Sequence, residues 1–333
     1  MTPDDDPQPP TPPSRPGVSF FTIEGRAAPG LFVVGWLASI LGLAFVIVGA
    51  LGGSRLFLFV LGPGLLSVGL IAGCGNQAIE RRARGEAYAG PSPWLAFATV
   101  VAVTYFVGAI LGSGLELLAR RAGTSPDGPL VQLIGAILTA AIFLGVVRLT
   151  VVGSGALTWR QMGVRPFGRQ AIADLTLGAI TALPVITITT IVAAILVAIF
   201  KVVSPSPLPA TGELSGLALQ LVAGALVAPV AEEIFFRGFA LTAWQRSRGA
   251  RAAIVRATIL FTLAHVVSIQ GTSFENALGL IAVGAGSRVP VALALGWLYV
   301  RRGSLWAPIG LHATYNAILL ILAHLALTGT PSG

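Results

Sequence analysis

Apolar runs of about twenty residues recur along the chain, the length that carries an α-helix across roughly 30 Å of hydrocarbon. They fall at roughly 30–51, 56–74, 94–119, 130–152, 174–200, 214–244, 252–270, 276–300 and 304–327, and predict nine helical spans joined by short polar segments. Pro63, Pro184, Pro229, Pro290 and Pro308 interrupt several runs, which a bundle tolerates because neighbouring helices satisfy the freed backbone groups. The eighth run is the least regular. Gly286, Ser287, Arg288 and Pro290 lie in its middle and leave open whether it is one helix or two shorter pieces. Residues 1–28 are Pro-rich, carry Asp4, Asp5 and Asp6 and lack the basic start of a signal peptide, so they read as a disordered tail. Residues 328–333 read as a short second tail.

Composition supports this pattern. Of 333 residues, 55% are hydrophobic and 10% charged, with mean hydropathy +0.85. A soluble domain carries about 25% charged residues, so this chain lacks the material for a water-facing surface. The expected fold class is all-α, a polytopic transmembrane helical bundle of 8 or 9 spans. The net charge of +8 does not point to nucleic acid, because the basic residues sit in short segments between apolar runs. With the N-terminus placed inside, the inner segments hold 13 basic residues, among them Arg81, Arg82, Arg84, Arg246, Arg248, Arg251, Arg301 and Arg302; the outer segments hold 4 (Arg55, Arg120, Arg121 and Lys201). That asymmetry predicts a cytoplasmic N-terminus and a multi-pass protein of the cell membrane. A ratio of 20 Arg to one Lys suggests a GC-rich bacterial source. The single cysteine, Cys74, lies in an apolar run and has no partner for an internal disulfide.

Polar residues inside the apolar runs carry the functional signal. The stretch Ala228–Phe239 reads APVAEEIFFRGF. Each ionised group near the bilayer centre costs roughly 2.5–3.5 kcal/mol, so Glu232, Glu233 and Arg237 left unpaired would cost roughly 8–10 kcal/mol. Glu233 and Arg237, four apart, share a helix face and can pair. Glu232 points about 100° away and remains as a spare carboxylate. A purely structural ion-pair knot would not need that extra negative charge.

Two of the three histidines lie in comparable surroundings: His265 one turn after Phe261, and His312 one turn before Asn316. A lone His in an apolar helix is usually a satisfied packing residue, so depth decides. At about 1.5 Å per residue, Glu232 lies roughly 21 Å before Arg246, His265 roughly 21 Å after Arg251, His312 roughly 15 Å and Asn316 roughly 21 Å past Arg302. Four polar residues on three helices therefore approach one level. His324 lies well above it and reads as an interfacial or packing residue. Arg288 reads either as structural or as lining an entrance. Glu116 and Asp174, near span ends, receive no role.

A carboxylate and a neutral imidazole sharing one water can deprotonate it as it attacks a carbonyl. A second His and an Asn amide can donate hydrogen bonds to the resulting oxyanion. Glu232, His265 and His312 could equally bind zinc, since three N/O ligands plus water make a catalytic zinc site; the HExxH signature is absent. A proton-coupled transporter is a rival class, but it predicts internal inverted repeats, and the acidic and His positions cluster in the last third. A catalytically silent immunity or scaffold protein is the other.

The set Glu232-Glu233-x-x-x-Arg237, Phe261-x-x-x-His265 and His312-x-x-x-Asn316 resembles the three motifs of the CPBP family. That family comprises CAAX prenyl proteases of the Ras-converting type and bacteriocin-processing (Abi) proteins. RRGSLWAPIGLHATYN also looks like the family's last motif and its approach. The resemblance runs over roughly residues 157–325 and divides the chain into transmembrane helices of unassigned role at 29–153 and a catalytic core at 154–327. It implies an intramembrane endopeptidase with Glu232 as general base, His265 holding the water, His312 and Asn316 as the oxyanion hole, and Glu233 and Arg237 as supports. The implied partner is a peptide or membrane-protein substrate within the lipid bilayer, with either a metal or a glutamate mechanism.

Overall fold

The computed structural model describes residues 22–204 and 211–329. Most of the expected tail 1–28 and the end of the tail 328–333 lie outside the described residues. The described chain is a stack of helical rods, which we number α1 (Pro29–Gly52), α2 (Phe57–Ala83), α3 (Pro93–Arg121), α4 (Pro129–Val152), α5 (Arg169–Phe200), α6 (Leu214–Arg248), α7 (Ala250–Ala264), α8 (Phe274–Arg302) and α9 (Trp306–Thr328). All but α7 are long and apolar enough to cross a membrane, 8 among the described residues, and the chain is a multi-pass helical membrane protein. Their outer faces carry many exposed Leu, Ile, Val and Phe side chains, as lipid requires and water would not allow.

One expectation changes, and one question left open by the sequence closes. The seventh run, expected over roughly 252–270, forms a helix of only 15 residues, Ala250–Ala264. It unwinds at His265 through tight three-residue turns, His265 N–H to Thr262 O and Val266 N–H to Leu263 O. No glycine or proline marks that stop; as shown below, a side-chain contact does. The eighth run does not split. It is one helix of 29 residues, started by Ser273, whose hydroxyl accepts the Asn276 N–H at 3.1 Å. Pro290 removes one internal hydrogen bond, which continuous packing against α5, α7 and α9 offsets.

Loops expected on one side do meet at one end of the bundle. Arg82 donates to Ser154 O, Arg165 to Gly303 O, and Trp306 Nε1 to Arg165 O. The Trp94 and Trp244 rings lie 5.8 Å apart at the same end. Asp174, given no role above, is buried there and bonds both Gln170 at 3.0 Å and Arg302 Nε at 2.8 Å. This tie fixes α5 to the end of α8, just before the turn into α9.

The core gathers around α6. Phe235, Phe236 and Phe239 are fully buried and pack with Phe97 of α3, Phe143 of α4 and Phe261 of α7. Helices α5 and α9 approach so closely that a Cβ on Gly178 would overlap Ala307 O, and one on Gly310 would overlap Leu175 O. Gly310 lies two residues before His312. Gly310→Val therefore forces α9 away from α5, costs about 1–3 kcal/mol and displaces His312. Thermal unfolding of the purified variant in detergent checks this; an unchanged midpoint would contradict the close approach.

Candidate active site

Helix α6 is not a uniform α-helix. Two wider, π-helical stretches, Val222–Val227 and Ile234–Leu241, flank the α-helical segment Ala228–Glu233. Such stretches recur at functional sites, and here they bracket both glutamates.

Glu233 and Arg237 pair as their spacing predicts: Arg237 Nη1 donates to Glu233 Oε1 at 2.8 Å, with both side chains 0% exposed. Arg237 Nη2 reaches Ala292 O of α8 at 3.3 Å, and the guanidinium stacks over the Phe261 ring, 4.4 Å from its centroid. One cation thus ties α6, α7 and α8 together. Glu233 Oε1 also lies 2.8 Å from His312 Nδ1. A carboxylate beside Arg can only accept, so Nδ1 carries the hydrogen, and in the neutral ring Nε2 is left as a bare lone pair.

His265 is oriented differently. Its Nδ1 lies 2.8 Å from Phe261 O, a carbonyl in the last turn of α7 that its usual backbone partner has vacated, because the His265 N–H turns to Thr262 O. A carbonyl only accepts, so the neutral ring again presents Nε2 as a lone pair. The seventh helix ends where it does because the imidazole replaces the backbone N–H on that carbonyl. The Phe261 ring lies between, 4.4 Å from the His265 ring and 5.7 Å from that of His312.

Glu232 faces away from this clamp. Its Oε2 lies 3.8 Å from His265 Nε2 and 3.9 Å from His312 Nε2, has no hydrogen-bond partner among the described residues, and belongs to a side chain 22% exposed. Three lone-pair atoms therefore converge across gaps too wide for direct hydrogen bonds.

Asn316 stands one turn beyond His312 on α9. Its Nδ2 donates to Gly224 O in the first π-helical stretch at 2.7 Å, which commits one of its two amide hydrogens. Five of the six residues singled out above thus form one cluster, and Asn316 stands one turn from His312 with its amide bonded to Gly224 O. His324 is apart from them and bonds Thr211 O at 2.6 Å. Sequence reasoning did not reach the carbonyls of Ala292, Phe261 and Gly224, because a backbone acceptor leaves no mark on residue type.

Zinc is a fair test for Glu232, His265 and His312. Ligands at 2.0–2.1 Å in a tetrahedron stand roughly 3.3 Å apart, closer than the 3.8 and 3.9 Å found here. Among the described residues no group of three His, Cys, Asp or Glu side chains is arranged to hold a metal ion. As placed, these groups fit a bridging water better than a ligand set.

Residues 214–318 match the family model described as Type II CAAX prenyl endopeptidase Rce1-like. The match spans less than half of the chain, from the start of α6 into α9, and contains all six candidate residues. Over that segment the resemblance read from the three motifs is borne out. No curated protein and no solved structure matches the chain.

Proposed function

We propose, from the likeness of residues 214–318 to type II CAAX prenyl endopeptidases, that this protein is an intramembrane endopeptidase that hydrolyses a peptide bond with a water activated by Glu232. The observation that carries the reading is the unpartnered Glu232 Oε2, faced by the lone pairs of His265 and His312 at 3.8 and 3.9 Å. A water between them donates one hydrogen to Glu232 and the other to His265 Nε2, which aims its own lone pair at a substrate carbonyl.

As the new C–O bond forms, Glu232 takes a proton and the carbonyl electron pair moves onto oxygen. The free amide hydrogen of Asn316 is the donor for that oxyanion; His312 Nε2, a lone pair in the neutral tautomer, is an acceptor beside Glu232 and not the oxyanion donor that the resemblance implied. Collapse re-forms the carbonyl and breaks the C–N bond. Glu232 returns its proton to the leaving nitrogen, which departs as an amine. Glu233 and Arg237 touch none of the reacting atoms; they hold His312 in its tautomer and anchor α6. The substrate is a peptide or a membrane-protein segment that reaches the site within the bilayer, and the arginine-rich end of the bundle is the cytoplasmic side.

The test is hydrolysis of a pool of membrane-derived peptides by the protein in liposomes, in ¹⁸O-labelled water. The new carboxyl termini acquire the label. Asn316→Ala lowers kcat about 10²–10³-fold and changes KM little. Failure to cleave any member of the pool, or an Asn316→Ala rate equal to wild type, counts against this reading.

A further inference from the structure

The mechanism above leaves unused a half-buried cation in the middle of a span. Arg288 lies 14 residues from each end of α8, the middle of a membrane-spanning rod. It is partly buried, and among the described residues it makes no ion pair. Its Nη1 donates to Gly284 O of its own helix at 2.7 Å, which bends the side chain back by one turn. Among the described residues the remaining donors of its planar fork meet no acceptor.

Its place on α8 aims it at the site. Ala292, whose carbonyl takes Arg237, lies one turn after Arg288 on the same face. Gly284, one turn before, lies against Val266, the neighbour of His265: a Cβ there would stand 3.2 Å from Val266 Cγ1. The guanidinium is within electrostatic reach of Glu232, His265 and Tyr315. A second group points the same way. Ser204, just past α5, has a buried hydroxyl with no hydrogen-bond partner among the described residues, and it too meets α8 at Gly284, 3.0 Å from that Cβ position.

We infer that Arg288, assisted by the Ser204 hydroxyl, binds a carboxylate of the substrate a short distance from the cleaved bond. A guanidinium fork and a hydroxyl together match the two oxygens of a carboxylate. The hydrogen bond to Gly284 O holds the guanidinium on the side of the site where Val266 and Ser204 meet α8, so it meets a flanking group and not the scissile carbonyl. The carboxylate is either the C-terminus of the peptide or an acidic side chain, and the chemistry of recognition is the same. This inference rests on the protease reading for the meaning of "substrate", but its test does not depend on turnover.

The probe is a pool of fluorescein-labelled apolar decapeptides in three forms: free C-terminal acid, C-terminal amide, and amide with one Glu three residues from the end. Binding is measured by fluorescence anisotropy to the full chain carrying Glu232→Gln, in detergent micelles. The acid, the Glu-bearing amide or both bind about tenfold more tightly than the plain amide, and whichever form gains identifies the source of the carboxylate. Adding Arg288→Gln removes that gain and leaves the plain amide unchanged. Arg288→Lys, which keeps the charge without the fork, retains part of it and guards against a folding defect. Equal binding of all three forms, binding of none, or an equal loss for every form in Arg288→Gln overturns the inference. Loss of cleavage by the wild-type chain on the same pool, with the binding difference intact, would instead remove the protease reading and leave an anion site.

Discussion

Replacing Glu232 by Gln lowers peptide hydrolysis by about 10²–10⁴-fold, the usual worth of a general base, and leaves the unfolding midpoint where it was. The two halves of this result have separate causes. Glu232 Oε2 has no hydrogen-bond partner among the described residues, so an amide of the same shape breaks nothing there that holds the helices. The charge pair that does hold them, Glu233 with Arg237, is untouched. A glutamine cannot take a proton from water, so the loss falls on kcat, with KM nearly constant. Single-turnover cleavage alongside a thermal melt reads both. A variant that retains full activity would remove Glu232 from the chemistry; one that loses its fold would make Glu232 structural.

Arg237→Met has the opposite signature, with the largest expected cost to stability in the molecule. Removing one partner of a buried pair strands the other charge and costs about 3–5 kcal/mol. Here the stranded carboxylate is Glu233, 0% exposed, and the Ala292 carbonyl and Phe261 face lose their cation as well. The double variant Arg237→Met with Glu233→Met recovers most of the stability, because apolar side chains of similar size often replace a buried pair at little cost. It does not recover activity, because His312 Nδ1 has lost the carboxylate that orients it at 2.8 Å. Chemical denaturation in micelles and the cleavage rate separate these outcomes. Wild-type stability in the single variant would contradict the clamp.

Much of this arrangement was legible in the chain. The Glu233–Arg237 pair follows from four-residue spacing on a helix, and it forms as expected. The shared depth of Glu232, His265 and His312 follows from counting residues from arginine-rich loops, and the three side chains do meet. The seventh run ends earlier than its apolar pattern predicts, and the pattern of the eighth leaves one helix or two open. Periodicity could not reveal that α7 stops at Ala264, because the stop comes from an imidazole competing for the Phe261 carbonyl. Nor could Gly286, Ser287 and Pro290 show that α8 continues past them, since a break or its absence there depends on what packs alongside.

What residue order alone determined was the membrane class, the helical rods and the identity of the polar groups that apolar spans must carry for a reason. Those properties depend on composition and local periodicity, which every window of the chain contains. Tertiary structure alone decided which lone pairs face Glu232, which imidazole nitrogen carries its hydrogen, and that Asn316 spends one amide hydrogen on Gly224. Each of these is set by a backbone carbonyl or a carboxylate contributed across helices or at a helix end, and a hydrogen bond of about 3 Å is fixed by packing rather than by spacing along the chain.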